Sequence, residues 1–406
     1  MPRSLITRTV VGLSLICFLG IGGFFRWQKV EIPVLVHKPL GNSEGVQMAG
    51  ILTRRELSLL PHVFREGRMD VNLPLQQWDP VITLDHLSIW GETMGTSYSI
   101  TLSDAVTGAE IVPVVQAIKK RLLEISQQMS TWDPESEISR FNHLESTEPF
   151  PVSDEFATVV RRALELSNST SGAFDPTLQP LLNLWGFGSE AEERLVPSND
   201  DIIVAKAYAG WEKIVVDEFS KLHKNVPQLS LDLGAIAKGY GVDVLATIMD
   251  EAGYRNWFVE IGGEVVVQGL NPGGDPWKIG IKYPTTNPMD PRTQGILHMT
   301  QGAVATSGDY NNYIHEGGVF YSHILDPRSG HAVFSKTASV TVTALNCMDA
   351  DGIATALFVM EAEEGIRWVE QHPEVEAMFL VRGVQGEIIE KFSSGFVAAT
   401  GYILNQ

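Results

Sequence analysis

Trp257-Phe-Val-Glu-Ile-Gly-Gly-Glu264-Val-Val-Val-Gln-Gly-Leu270-Asn-Pro-Gly-Gly-Asp-Pro276 decides the fold class. Two runs rich in β-branched and aromatic residues, 257–261 and 264–269, are separated only by Gly262-Gly263. A Gly/Pro turn then leads to a third run at 277–282. Strands joined by so short a turn must be antiparallel, because a parallel pair needs a crossover of a dozen or more residues. Working outward, strand patterns recur at 98–102, 213–217, 296–301, 338–344 and 376–382. Helical periodicity covers 111–129, 156–167, 233–252 and 348–371, the last with a break expected near Glu363-Glu364-Gly365. Strands in adjacent pairs among helices predict an α+β class with largely antiparallel sheets flanked by helices, not a doubly wound parallel sheet.

The 406 residues allow about two or three domains. The texture resolves them into an apolar leader at 1–27, a Pro-interrupted tether or small appended element at 28–87, and a main domain at 88–406. From Thr9 to Phe25 there are 17 uncharged residues, flanked by Arg3, Arg8, Arg26 and Lys29. That run is long for a signal-peptide core and short for a spanning helix, and it lacks an Ala-x-Ala cleavage pattern. An uncleaved membrane anchor is expected. Cys17 follows bulky Ile16, which is a poor context for lipidation.

Lys and Arg number 30 against 49 Asp and Glu, a net charge of −19. So acidic a chain is expected to bind no nucleic acid, since sequence-independent affinity for a phosphate backbone needs clustered cations. A small anionic substrate would need a metal, a lysine or oriented backbone dipoles to offset the repulsion. Cys17 and Cys347 are the only cysteines, which excludes a disulfide framework and a Cys-rich zinc site. No Gly-x-Gly-x-x-Gly, Gly-x-Ser-x-Gly or His-x-x-x-His pattern occurs.

Six runs place glycine and polar residues where a plain core would not. They are Met94-Gly-Thr-Ser97; Met129-Ser-Thr-Trp132 with Ser139-Arg-Phe-Asn142; and Gly172-Ala-Phe-Asp175, continuing to Trp185-Gly-Phe-Gly188. Then come Leu231-Asp-Leu-Gly-Ala-Ile-Ala-Lys-Gly239; Thr306-Ser-Gly-Asp309 with His323-Ile-Leu-Asp-Pro-Arg-Ser-Gly330; and Asp349-Ala-Asp-Gly-Ile-Ala-Thr355. Asp351 and Thr355 are four apart, so on a helix their oxygens share a face and form a hard-oxygen pair suited to Mg²⁺. Equally, Asp349 and Asp351 could cap the helix N-terminus. Asp232 reads either as an N-cap or as a ligand contact, and Lys238 either as a solvated residue or as the cation for a bound anion. A lone histidine such as His323 is compatible with a structural or a catalytic role, and Phe174 with core or ligand packing.

In this order and spacing, over about residues 88–398, the six runs resemble the ApbE-type family of FAD:protein FMN transferases. The resemblance implies a two-lobed, T-fold-like catalytic domain over 88–406 behind the anchor. It implies a Mg²⁺-dependent transfer of FMN from FAD onto a Thr or Ser hydroxyl of a partner redox subunit, with release of AMP. Flavin contacts would fall on Met94, Trp132, Ala173, Phe174, Asp175, Asp232, Lys238 and Leu325. The metal would be held by Asp351, Thr355 and the carbonyls of Ala235 and Ala354. His323 would be the base, and Asp351 would join it in catalysis. The implied location is the bacterial inner membrane, with the catalytic domain on the periplasmic side. Glu264 departs from the Asp or Asn more usual after the Gly-Gly pair. Competing readings are a Mg²⁺-dependent FAD pyrophosphatase giving FMN and AMP, and a non-catalytic exported flavin-binding protein.

Overall fold

The computed structural model describes residues 83–405 except 192, 288, 289 and 311, together with three short strands, Gly12–Leu15, Val30–Pro33 and Arg68–Asp70. The chain divides into two compact units, Met1–Ala49 and Gly50–Gln406. In the first, Gly12–Leu15 pairs antiparallel with Val30–Pro33. The rest of the expected anchor and most of the expected tether lie outside the described residues. Among the described residues no helix is long and apolar enough to cross a membrane.

The hairpin quoted from the sequence sits at the middle of a nine-stranded sheet. Trp257–Ile261 and Glu264–Gln268 pair antiparallel, with Ile261 opposite Glu264. On one side follow Gln301–Gly308, Thr337–Ala344, Glu376–Arg382 and Ile388–Phe392. On the other lie Thr96–Leu102, Leu87–Thr93 and the edge strand Arg68–Asp70. Only the Arg68–Asp70 edge is parallel to its neighbour. The α+β, largely antiparallel expectation therefore holds.

Strand Thr337–Ala344 is buried along its whole length because both faces of the sheet are covered. On one face, Val340 and Val342 join a core with helices Gly108–Met129, Asp154–Ser169, Ala237–Glu251 and Cys347–Val369. On the other, Ala338 and Met378 pack with Trp277, Ile279 and Leu297 of a smaller sheet, Trp277–Lys282, Thr293–Met299 and Ile403–Leu404. A third, separate core gathers Leu181, Trp185, Ile202, Ile314 and Leu325. It joins helices Gln179–Leu184 and Asn199–Tyr208 to the hairpin Tyr313–Glu316/Val319–Ser322.

Three elements differ from the sequence expectation. The strand expected at 296–301 is two strands, Thr293–Met299 and Gln301–Gly308, which belong to different sheets. The alternation breaks at Thr300-Gln301, two consecutive exposed polar residues, but so short an interruption does not reveal that the flanking strands join different sheets. The helix expected from 233 begins at Ala237, because the Asp232 carboxylate accepts the Gly234 amide at 2.9 Å and closes a local turn that holds the chain out of the helix. The break in the last helix falls at Glu361 (φ 64°), not at 363–365. Gly365 serves packing, since a Cβ there would lie 2.6 Å from Phe379.

Helix Ala237–Glu251 meets the first turn of Cys347–Val369 at Gly239. A Cβ at that position would fall 2.2 Å from the Cys347 carbonyl oxygen and 2.8 Å from the Asp351 Cβ. Neither obstacle is a flexible side-chain end, so backbones would have to separate. Gly239→Ala is expected to lower unfolding stability by about 3 kcal/mol, the upper range for an overpacked core. Urea denaturation measures this, and an unchanged midpoint would contradict the packing described.

Candidate active site

The site is built where those two helices cross. Upstream of the first, the Asn142 side chain clamps Leu231 from both directions. Its Nδ2 donates to the Leu231 carbonyl at 2.8 Å, and its Oδ1 accepts the Leu231 amide at 2.7 Å. The next residue's amide, that of Asp232, donates to the Pro176 carbonyl at 2.8 Å. These bonds tie the Ser139–Asn142, Gly172–Asp175 and Leu231–Gly239 runs into one wall.

The first turn of Cys347–Val369 resolves the choice between capping and ligation at its two aspartates. Asn346 is the N-cap, accepting the Asp349 amide at 2.8 Å. Asp349 accepts from Arg162 at 2.6 Å. Asp243, reaching over from the neighbouring helix, accepts the amides of Cys347 and Met348 at 2.8 Å each. Burial pushes the Asp243 carboxyl up to about 6, against the pull of those two hydrogen bonds. With the helix end satisfied by other groups, Asp351 is not needed as a cap.

The Asp351 Oδ2 accepts the Gly239 amide at 2.9 Å, and its Oδ1 lies 3.5 Å from the Lys238 ammonium. Lys238 also lies 3.3 Å from Glu264 Oε1 and donates to the Gly234 carbonyl at 3.1 Å. Burial opposes the charge on Lys238, but the two carboxylates overcome this and hold its ammonium above the ordinary lysine range. Burial and the nearby Asp351 push the Glu264 carboxyl upward, while Lys238 pulls it down. The second Glu264 oxygen, Oε2, is buried without a hydrogen-bond partner. One turn beyond Asp351, the Thr355 hydroxyl lies 3.0 Å from that of Ser307.

His323 follows the strand Val319–Ser322. Its Nδ1 lies 3.0 Å from the Asn312 carbonyl oxygen, which can only accept, so Nδ1 carries the proton and Nε2 presents a lone pair. Phe187 packs edge-on against the ring, with centroids 6.3 Å apart. Burial holds the imidazole below its ordinary value, despite the Asn312 hydrogen bond. The ring is therefore neutral at pH 7.

These groups line a cavity of about 350 Å³. Part of its lining is apolar, from Ala173, Phe174, Leu178, Leu182, Phe187 and Leu325. The polar part is Asp175, Asp232, Lys238, Glu264, Thr306, Ser307, Asn312, His323, Asp351 and Thr355, with Ala235 among them. Ten of the residues singled out in the sequence thus meet in one cavity: Ala173, Phe174, Asp175, Asp232, Ala235, Lys238, His323, Leu325, Asp351 and Thr355. Asp175 is also structural, its carboxylate accepting from Thr177 and from the Trp211 amide. Three expected residues are not in the lining. Met94 packs on Gly241, Trp132 stands 73% exposed in a turn, and Ala354 is wholly buried beside Thr355. Asn312 was in none of the sequence runs. Glu264 was marked only as a departure from pattern, although its place directly after a two-glycine hairpin turn was a usable signal.

All the donors around Asp351 and Thr355 are oxygens, and among the described residues no cluster of three or more His, Cys, Asp or Glu side chains could hold a metal ion alone. The orphaned Glu264 oxygen leaves a buried polar atom without a partner beside Asp351. One carboxylate with hydroxyl and carbonyl neighbours fits a hard divalent cation that completes its shell with water and ligand phosphates.

Fold and cavity together define an α+β protein in which a carboxylate, an imidazole and an ammonium share a partly apolar pocket. The chain belongs to the ApbE family, whose family model matches residues 94–379. It is 43% identical over 302 residues to the FAD:protein FMN transferase of Vibrio cholerae, covering 74% of this chain and 88% of that protein. It is 35% identical over 319 residues to the Haemophilus influenzae protein of the same name, covering 77% and 91%. Among solved structures it is similar to the flavin transferase ApbE from Vibrio cholerae, with TM-score 0.70, 40% identity, and coverage of 77% of this chain and 98% of that one. The apo flavinyl transferase ApbE of Pseudomonas stutzeri gives TM-score 0.67, 34% identity, and coverage of 78% and 98%.

The Asn312 bond fixes a testable property of the His323 imidazole. Nitrogen-detected NMR at pH 7 is expected to show His323 neutral with the proton on Nδ1, titrating below 6.5. A protonated ring at pH 7, or a proton on Nε2, would contradict the geometry.

Proposed function

We propose that this chain transfers FMN from FAD to a Ser or Thr hydroxyl of an acceptor protein, releasing AMP. The observation that supports this reading most is the meeting of His323, Lys238, Asp351 and Thr355 in one cavity with an apolar wall, in a chain of this family. Phe174, Leu182 and Leu325 offer area for the flavin ring, and Lys238 offers a cation for the pyrophosphate. His323 Nε2 takes the proton of the acceptor hydroxyl as its oxygen attacks the FMN phosphorus. The P–O bond to the adenylate breaks, a phosphoester forms, and AMP leaves with the electron pair. Asp351, Thr355 and the Ala235 carbonyl would hold Mg²⁺, which neutralises phosphate charge during the transfer. The acceptor is a redox subunit exposing a Ser or Thr.

Residues 1–27 fit a membrane anchor on hydropathy and flanking charge, with 28–87 as a tether and 88–406 as the catalytic domain. A redox acceptor at the outer face of a bacterial inner membrane places that domain on the periplasmic side. Protease added to intact spheroplasts should then digest the catalytic domain, and full protection would contradict this placement.

The activity is tested by incubating the full chain with FAD, Mg²⁺ and a candidate acceptor. Mass spectrometry should find acceptor bearing FMN and an equal amount of AMP. Free FMN without an adduct would favour the pyrophosphatase reading, and unchanged co-purified FAD the binding-protein reading. Asp351→Asn keeps an acceptor for the Gly239 amide but removes the charge. It should cut transfer by about 10²-fold or more while circular dichroism stays unchanged. His323→Ala should lower the rate by about 10²- to 10⁴-fold. Transfer at the unsubstituted rate in either variant contradicts the assigned roles.

A further inference from the structure

Lys238 stands between two carboxylates from separate elements. Glu264 opens the strand Glu264–Gln268, and Asp351 lies in the first turns of Cys347–Val369. The ammonium is the nearer to Glu264, at 3.3 Å, and is anchored by the Gly234 carbonyl at 3.1 Å. Its distance to Asp351, 3.5 Å, is looser. Both carboxylates are almost wholly buried, with side chains 6% and 4% exposed. Asp351 keeps one oxygen on the Gly239 amide, so its other oxygen is the one an incoming cation must compete for.

We propose that Glu264 is a positioning residue: by holding the Lys238 ammonium, it keeps that cation from closing on Asp351 and thereby sets the affinity of the site for a divalent metal. The inference rests on the reading that Asp351 binds such a cation. Two positive charges cannot share one carboxylate oxygen at close range without a large repulsion in a low-dielectric site. Without the Glu264 carboxylate, Asp351 is the only carboxylate within 4 Å of Lys238 among the described residues. The ammonium then moves from the Glu264 side onto the metal-binding oxygen and acts as a built-in competitor. With Glu264 present, Lys238 is retained to one side, available to an anionic ligand, and Asp351 stays open. The glutamate after Gly262-Gly263 thus regulates a ligand it does not itself bind.

Mn²⁺ serves as the probe, with free ion counted by electron paramagnetic resonance in the full chain without FAD. Lys238→Met should bind Mn²⁺ about tenfold more tightly, within the range of coupling between groups in contact. Glu264→Gln should bind about tenfold more weakly, by the same measure. In the Lys238→Met background, Glu264→Gln should change affinity less than about twofold, because there is no ammonium left to position. Equal weakening in both backgrounds would make Glu264 a direct ligand and overturn the proposal. Failure of Lys238→Met to strengthen binding would overturn it too, and this arm stands even if Glu264→Gln does not fold. Absence of saturable Mn²⁺ binding in the unsubstituted chain would instead overturn the metal reading itself, and this inference with it.

Discussion

The contact at Gly239 is the constraint on which the site depends. There the helix Ala237–Glu251 approaches Cys347–Val369 so closely that no side chain fits between them. The Gly239 amide donates to Asp351, and four residues on, Asp243 takes the Cys347 and Met348 amides. One helix thereby caps the other while orienting its aspartate. Lys238, next to Gly239, is delivered to the same place. A separation of the two helices by the width of a methyl group would break the aspartate's hydrogen bond and displace the lysine together.

The same crossing answers the question posed by an acidic chain that is to handle a diphosphate. The net charge of −19 is spread over the whole molecule, whereas the cavity is governed by a few buried groups. Lys238 stands between two buried carboxyl groups, those of Glu264 and Asp351. His323 belongs to the other part of the fold, beside the small core of Leu181, Trp185 and Leu325, and is held by the Asn312 carbonyl and Phe187. The cavity therefore brings Lys238 and Asp351 from the helix crossing together with the His323 imidazole.

Much of this was legible in the sequence, for physical reasons. The Gly-Gly turn fixed antiparallel pairing, because no crossover fits in two residues. The spacing of Asp351 and Thr355 placed both on one helical face, and both reach the cavity. What was not legible depends on contacts between distant segments. Asn346 just before the helix is a local cap signal, but nothing local shows that Asp243 takes the Cys347 and Met348 amides, so the aspartates there remained ambiguous until the crossing was seen. The polar pair Thr300-Gln301 interrupts the alternation there, but nothing in it says that the two flanking strands belong to different sheets. Asn312 acts through its carbonyl, which every residue possesses, so its identity carried no signal. Glu264 was visible as a departure, but its role needed the position of Lys238.

With the helix end satisfied by Asn346 and Asp243, Asp351 and Thr355 face the cavity, where we propose a divalent cation binds. Anomalous diffraction from crystals of this protein soaked in Mn²⁺ tests it most directly. One strong peak is expected, bordered by Asp351, Thr355 and the Ala235 carbonyl. A peak only at the carboxylates around the other end of the crossing, such as Asp243 and Asp250, with none at Asp351, would contradict it.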